Sequence, residues 1–161
     1  MRDVLFICSG NYYRSRFAEA VFNAAAHRRG VEWRAFSRGL AIHLVAGAGE
    51  ISIYTRFALA ARGIGLHHTG PHPVQLARED LERAHRVIAL KEAEHRPLMK
   101  NLFPDWENRV EYWHVHDLDA ATPETAVPGL ERQTLKILDD LIASVAAEVQ
   151  PVADATRGTS P

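Results

Sequence analysis

Apolar and polar positions change period several times along the chain, and each change predicts an element. Residues 3–7 form a short apolar run that stops at Ser9-Gly10-Asn11, the pattern of a buried strand opening into a loop. From Ser15 the period becomes helical: Phe17, Ala18, Val21, Phe22 and Ala25 share a face, and Gly30 follows as a stop after His27, Arg28 and Arg29. Val31, Trp33 and Ala35 then alternate with polar neighbours, predicting a second strand that ends near Ser37-Arg38-Gly39. Residues 40–52 carry no period and read as a loop, and residues 53–62 as a helix closed by Gly63. The prolines and glycine of residues 66–73 predict irregular backbone. Beyond it the pattern predicts a short helix at 79–84, a strand at 86–90, a helix at 91–102 kinked at Pro97, and a strand at 110–115. Residues 116–127 read as a polar loop, and residues 130–149 as the longest amphipathic helix, with Leu130, Ile137, Leu138, Leu141 and Val145 on one face.

Strands alternating with helices at this spacing predict an α/β single domain, a four-stranded parallel sheet with helices on both faces. The domain is expected to span residues 1–150, with residues 151–161 a frayed tail. Ligands of such sheets bind beyond the carboxyl ends of the strands, which directs attention to residues 8–15, 37–39 and 116–119.

Composition narrows the partners. The chain has 161 residues with 19 Lys+Arg against 20 Asp+Glu, a balance that offers no field for nucleic acid or an anionic membrane. The first apolar run is too short to span a bilayer, and it lies too near the start, after Asp3, to be a signal-peptide core. A soluble, cytoplasmic domain is expected. One cysteine, Cys8, excludes an internal disulfide and a cysteine-built zinc site. His67, His68 and His72, or His114 with His116, lack the converging geometry of a metal centre, so no metal or other cofactor is expected.

A free cysteine is ordinarily inert packing. This one opens Cys8-Ser9-Gly10-Asn11-Tyr12-Tyr13-Arg14-Ser15, a loop between a buried strand and a helix start. Five residues wrap a half-circle whose amides point inward and form a nest for an oxyanion, aided by the helix N-terminus. The planar fork of Arg14 matches phosphate, and Gly10 and Asn11 tolerate left-handed backbone. Ser15 is placed to donate to the sulfur. Such a site favours a thiolate and nucleophilic attack on phosphorus through a cysteinyl-phosphate.

These residues, with Val4-Leu5-Phe6-Ile7 before them, resemble the signature of the low-molecular-weight protein tyrosine phosphatase family. The similarity continues through Ala35-Phe36-Ser37-Arg38-Gly39, Ala61-Arg62-Gly63-Ile64, Arg78-Glu79-Asp80-Leu81 and Ala84-His85-Arg86-Val87-Ile88 to about Val149. The resemblance implies metal-free hydrolysis of phosphomonoesters, with Cys8 as nucleophile and Arg14 on the phosphoryl oxygens. Ser9, Gly10, Asn11, Tyr12, Tyr13 and Ser15 would line the anion, and Asn11, Ser15, Ser37 and His68 would brace the loop. Asp117 aligns as the general acid, with Asp119 the alternative.

The chain also departs from that pattern. Its acid has no following proline or aromatic pair, Tyr13 stands where the family often carries a second cysteine, and Arg38 replaces a small residue. Arg38 either extends the cationic site or faces solvent, and Tyr12 either offers ring surface to substrate or packs on the loop. The expected substrate is a phosphotyrosyl protein. Phosphoarginine, a small phosphorylated metabolite, or a non-catalytic oxyanion-binding module are the alternatives. A single cysteine argues against arsenate reduction, which needs further thiols.

Overall fold

The computed structural model describes residues 1–114 and 123–149. Strand β1 (Arg2–Cys8) lies inside a sheet of order β2-β1-β3-β4, with β2 (Trp33–Gly39), β3 (Arg86–Ala89) and β4 (Glu111–Tyr112) all parallel to their neighbours. Alternation along β1 divides the core in two. Val4, Phe6 and Cys8 face α1 (Arg14–Arg29) and α5 (Pro123–Val149) with Phe17, Val21, Phe22, Leu130, Leu138 and Leu141. Leu5 and Ile7 face the other way, toward Leu81 of α3 (Arg78–Arg83) and Met99 of α4 (Glu92–Leu102). A strand buried on both faces must be apolar throughout, which is why residues 4–8 read as an unbroken run.

Local chemistry sets the helix ends. Gly30 adopts φ 63° and its N–H bonds back to His27, the left-handed stop its position suggested. Helix α2 (Ile53–Ala61) begins where the Ser52 hydroxyl accepts from the Tyr54 amide at 3.2 Å, and Gly63 at φ 65° follows its end. Residues 42–45 and 66–68 form single 3-10 turns within the segments expected to be irregular.

Two boundaries differ from the sequence reading. Strand β4 holds two residues rather than six. After Tyr112 the chain turns onto α4: the Trp113 carbonyl accepts from the Glu92 amide, and His114 pairs antiparallel with Lys91. Helix α5 begins at Pro123, not Leu130, and runs through Pro128. Pro123 suits a first helical position. Pro128 gives up a bond to residue 124, a loss of about 3 kcal/mol, which burial of Ala126 and Val127 helps offset. The end of the predicted strand at Val115, most of the predicted 116–127 loop, and the 151–161 tail lie outside the described residues.

Candidate active site

Strand β1 delivers Cys8 to the carboxyl edge of the sheet, and α1 starts six residues later at Arg14. The order of the sheet reverses beside β1, with β2 on one side and β3 on the other, so a crevice opens where Cys8 ends its strand. The thiol is 3% exposed. Its sulfur accepts from the Asn11 amide at 3.2 Å and lies 2.9 Å from the Ser15 hydroxyl oxygen.

Asn11 holds this arrangement together. It sits at φ 50°, in the left-handed region that asparagine tolerates. Its side-chain amide donates to Ser15 Oγ and Ser37 Oγ, both at 2.9 Å, while its Oδ1 accepts from the Val74 amide at 2.9 Å. Ser15 Oγ therefore already has a donor, which leaves its own proton for the sulfur. Ser37 passes its proton to Glu19 Oε2 at 2.6 Å. The network is directional: both contacts to Cys8 suit an anionic sulfur acting only as acceptor. Beside it Gly39 admits no side chain, since a Cβ would come within 2.8 Å of the Ser9 carbonyl and 2.7 Å of Ile42 Cγ2.

At the other end of the loop, Arg14 presents a fork to Glu94 of α4. Its two terminal nitrogens donate to Glu94 Oε2 at 3.1 Å and Oε1 at 2.9 Å, and the Ser9 hydroxyl also donates to Oε1. Burial raises the Glu94 carboxyl, but hydrogen bonds from Arg14 and Ser9 and the Arg14 charge outweigh it and bring it down to about 2. The next residue, His95, is wholly buried and accepts from the Lys91 amide through Nδ1 at 3.0 Å. Nε2 then carries the proton, 3.7 Å from Glu94 Oε1 and without a hydrogen-bond partner among the described residues. Burial first, then the Arg14 charge, lowers the imidazole to about 4, so it is neutral at pH 7.

A second layer lies behind the loop. Arg16 is 1% exposed. It donates from Nε to Thr69 Oγ1 at 2.7 Å, from one terminal nitrogen to the carbonyls of Glu50 at 2.9 Å and Asn11 at 3.4 Å, and from the other to the Gly70 carbonyl. The Thr69 hydroxyl donates onward to Glu19 Oε2 at 2.7 Å. Burial raises the Glu19 carboxyl, opposed by the hydrogen bonds from Ser37 and Thr69 and by the Arg16 charge.

The structure relocates several expected contributors. The His68 ring is not in this network. It lies against His67, with centroids 4.1 Å apart, and near His27, while its carbonyl accepts from Asn23 and its amide donates to the Gly65 carbonyl. The hydroxyl of the next residue, Thr69, does the bracing in its place. Arg38 is held within the fold, half-buried: it donates to Asp80 at 2.9 Å and to the Ser37 carbonyl at 2.8 Å, over the Phe36 ring. Tyr12 is tied by its hydroxyl to the Ala48 carbonyl at 2.9 Å, fastening the loop to the 40–52 segment. Tyr13 packs edge-on against Tyr54, its hydroxyl buried without a hydrogen-bond partner among the described residues, and its carbonyl accepts from Thr55. Asp117 and Asp119 lie outside the described residues. His114, three residues before Asp117, pairs with Lys91, three residues before Glu94.

Glu94, Arg16, Glu19 and Thr69 were missed from sequence. Glu19 alone left a signal, a carboxylate within the apolar run of α1. Among the described residues, no group of three or more His, Cys, Asp or Glu is arranged to hold a metal ion, and no helix is long and apolar enough to cross a membrane.

A buried sulfur under two donors, at the mouth of a helix and beside an arginine fork, is equipped to attack a tetrahedral oxyanion ester. Comparison with known proteins points the same way. The family model described as low molecular weight phosphotyrosine protein phosphatase matches residues 3–150. A curated protein of Bacillus subtilis (strain 168) named protein-arginine-phosphatase is 26% identical over 152 residues, 92% of this chain and 97% of that protein. Among solved structures, a low molecular weight protein tyrosine phosphatase from T. tengcongensis superposes with a TM-score of 0.70 at 24% identity, over 89% of this chain and 99% of that one. The YwlE arginine phosphatase from Geobacillus stearothermophilus gives a TM-score of 0.68 at 20% identity, over 95% of this chain and 100% of its own. At those identities the two structures speak for the fold.

Proposed function

The chain belongs to the low molecular weight phosphotyrosine protein phosphatase family, a family of hydrolases with a cysteine nucleophile, and from that premise we propose that it dephosphorylates phosphotyrosine in proteins with Cys8, Arg14 and Asp117 as the catalytic residues. The observation that carries the reading is the Cys8 sulfur, held under the Asn11 amide and the Ser15 hydroxyl at the start of α1.

In this mechanism the Cys8 thiolate attacks phosphorus in line. The S–P bond forms as the P–O bond to the leaving group breaks, and the Asp117 carboxyl gives its proton to the departing oxygen. Amides of residues 9–15 and the Arg14 fork take up charge on the equatorial oxygens. Water then attacks the cysteinyl-phosphate, gives a proton to Asp117 and frees inorganic phosphate and the thiolate. No cofactor is required. Asp119 is the alternative acid.

Phosphoarginine is the second substrate reading, favoured by the curated relative named for that activity. There the Asp117 proton would go to the departing guanidino nitrogen as the P–N bond breaks. The deciding experiment measures kcat/KM for phosphotyrosyl and phosphoarginyl peptides without added metal, beside p-nitrophenyl phosphate. A preference for phosphotyrosine supports the first reading and a preference for phosphoarginine the second. Vanadate binding without hydrolysis of any substrate from pH 5 to 7 would overturn both and leave an oxyanion-binding module.

A further inference from the structure

Arg16 lies behind the loop, sealed from solvent, with each of its guanidinium nitrogens hydrogen-bonded. Four segments converge on it: Asn11 of the loop, Glu50 from the segment before α2, Thr69 with Gly70, and through Thr69 the Glu19 carboxylate of α1. Carbonyls and a hydroxyl could be gathered by a neutral amide. A guanidinium stays charged in a protein, and burying it is costly unless the charge serves or is neutralised. Asn11 stands between this charge and the nucleophile: its carbonyl accepts from Arg16 at 3.4 Å and its amide donates to the Cys8 sulfur at 3.2 Å, and the Glu19 and Glu50 carboxylates and the Cys8 sulfur all oppose the lowering that burial imposes on Arg16. Burial pushes the Glu19 carboxyl upward, opposed by the hydrogen bonds from Ser37 and Thr69 and by the Arg16 charge.

The grip on Asn11 has a geometric consequence. In a trans peptide the C=O and the following N–H point in opposite directions, and the structure contains no cis peptide. A carbonyl turned back onto Arg16 turns the Tyr12 N–H away from Arg16. We propose that Arg16 is a positioning residue for the reaction: it aims the Tyr12 amide at the bound anion and holds a fixed positive charge behind the Cys8 thiolate. The role rests on the phosphatase reading of this site. It touches no substrate.

The test compares Arg16→Gln with Arg16→Lys. Two readouts are taken that a merely structural brace would not move: the pH midpoint of Cys8 alkylation by iodoacetamide, followed by mass spectrometry, and vanadate affinity. Arg16→Gln is expected to raise the alkylation midpoint by about one pH unit, roughly a tenfold loss of thiolate, and to weaken vanadate about tenfold. Arg16→Lys keeps the charge and is expected to retain most of the wild-type midpoint. An unchanged midpoint and vanadate affinity in Arg16→Gln, with only a lower melting temperature, would overturn the proposal. Should Arg16→Gln not fold, Thr69→Val removes one acceptor of Arg16 and keeps the charge. Vanadate binding weakened several-fold then supports the role, and unchanged binding contradicts it. Neither readout needs turnover, so a wild-type protein that hydrolyses nothing would sink the phosphatase reading and leave the Arg16 result standing.

Discussion

Asn11, Ser15 and Ser37 hold the cysteine end of the loop through hydrogen bonds of 2.9 to 3.2 Å from uncharged side chains and backbone, whereas Glu94 of α4 holds the arginine end through an ion pair with both terminal nitrogens of Arg14. The two ends face different demands. The sulfur must keep one position while its charge changes during attack, and short side chains with no charge of their own fix it without competing for protons. The guanidinium must meet a dianion as a flat fork, and a carboxylate of the right width holds that fork in plane. The cysteine end is therefore built for shape, and the arginine end for charge and orientation.

The contrast breaks most visibly at Arg14. Arg14→Lys keeps the charge and loses the fork, and kcat/KM is expected to fall about 10²–10³-fold, as for loss of a donor that acts in the transition state. Steady-state kinetics on p-nitrophenyl phosphate measures it. At the other end, Asn11→Ala removes the amide that links Ser15 to Ser37 and the acceptor for Val74. The expected cost is about 2–4 kcal/mol, read as a melting temperature lower by roughly 5–15 °C, with kcat down about tenfold. Glu94→Gln should separate the two ends. It keeps the size and an acceptor oxygen but drops the charge, so kcat/KM falls about tenfold, and the melting temperature at pH 7 falls with the stability that the ionised carboxylate contributes.

The smallest effect is on the pH dependence of stability. His95 sits near 4 in the folded chain against an ordinary 6.5, so the unfolded chain binds a proton there that the native one refuses. Its contribution is complete above about pH 6.5 and is lost as pH falls toward 4. Glu94, at about 2 against 4.5, likewise contributes above its ordinary value and loses that contribution as pH falls from about 4.5 toward 2. Thermal melts from pH 7 to 4 should show a declining melting temperature, with a flatter slope in His95→Gln. An equal slope in that variant would remove His95 from the account.

The cysteine end was legible in the sequence because its residues are contiguous or stand near a strand end: Cys8 to Ser15 lie in one stretch, and Ser37 lies two residues before the end of β2. The arginine end was not, since Glu94 looks like one more acid on a polar helix face until α4 is folded over the loop. Arg16 was hidden by its type, for an arginine in the first turn of a helix ordinarily reads as solvent-facing. The His68 expectation failed by one residue, because both Thr69 and His68 lie where irregular backbone, not period, decides which side chain points inward. In the fold the strands and helices were readable from period, and the misplaced boundaries fell at β4, which ends by turning onto α4, and at Pro128, which α5 absorbs.

The central claim is that Cys8 itself takes the phosphoryl group, and rapid quench of wild-type protein with substrate followed by peptide mass spectrometry tests it directly. The account predicts one phosphoryl group on the peptide containing Cys8, gained within the first turnover and lost as inorganic phosphate appears, with Cys8→Ser losing steady-state turnover by at least ~10⁴-fold. Turnover that proceeds with Cys8 unmodified, or with phosphate carried on another residue, would contradict it.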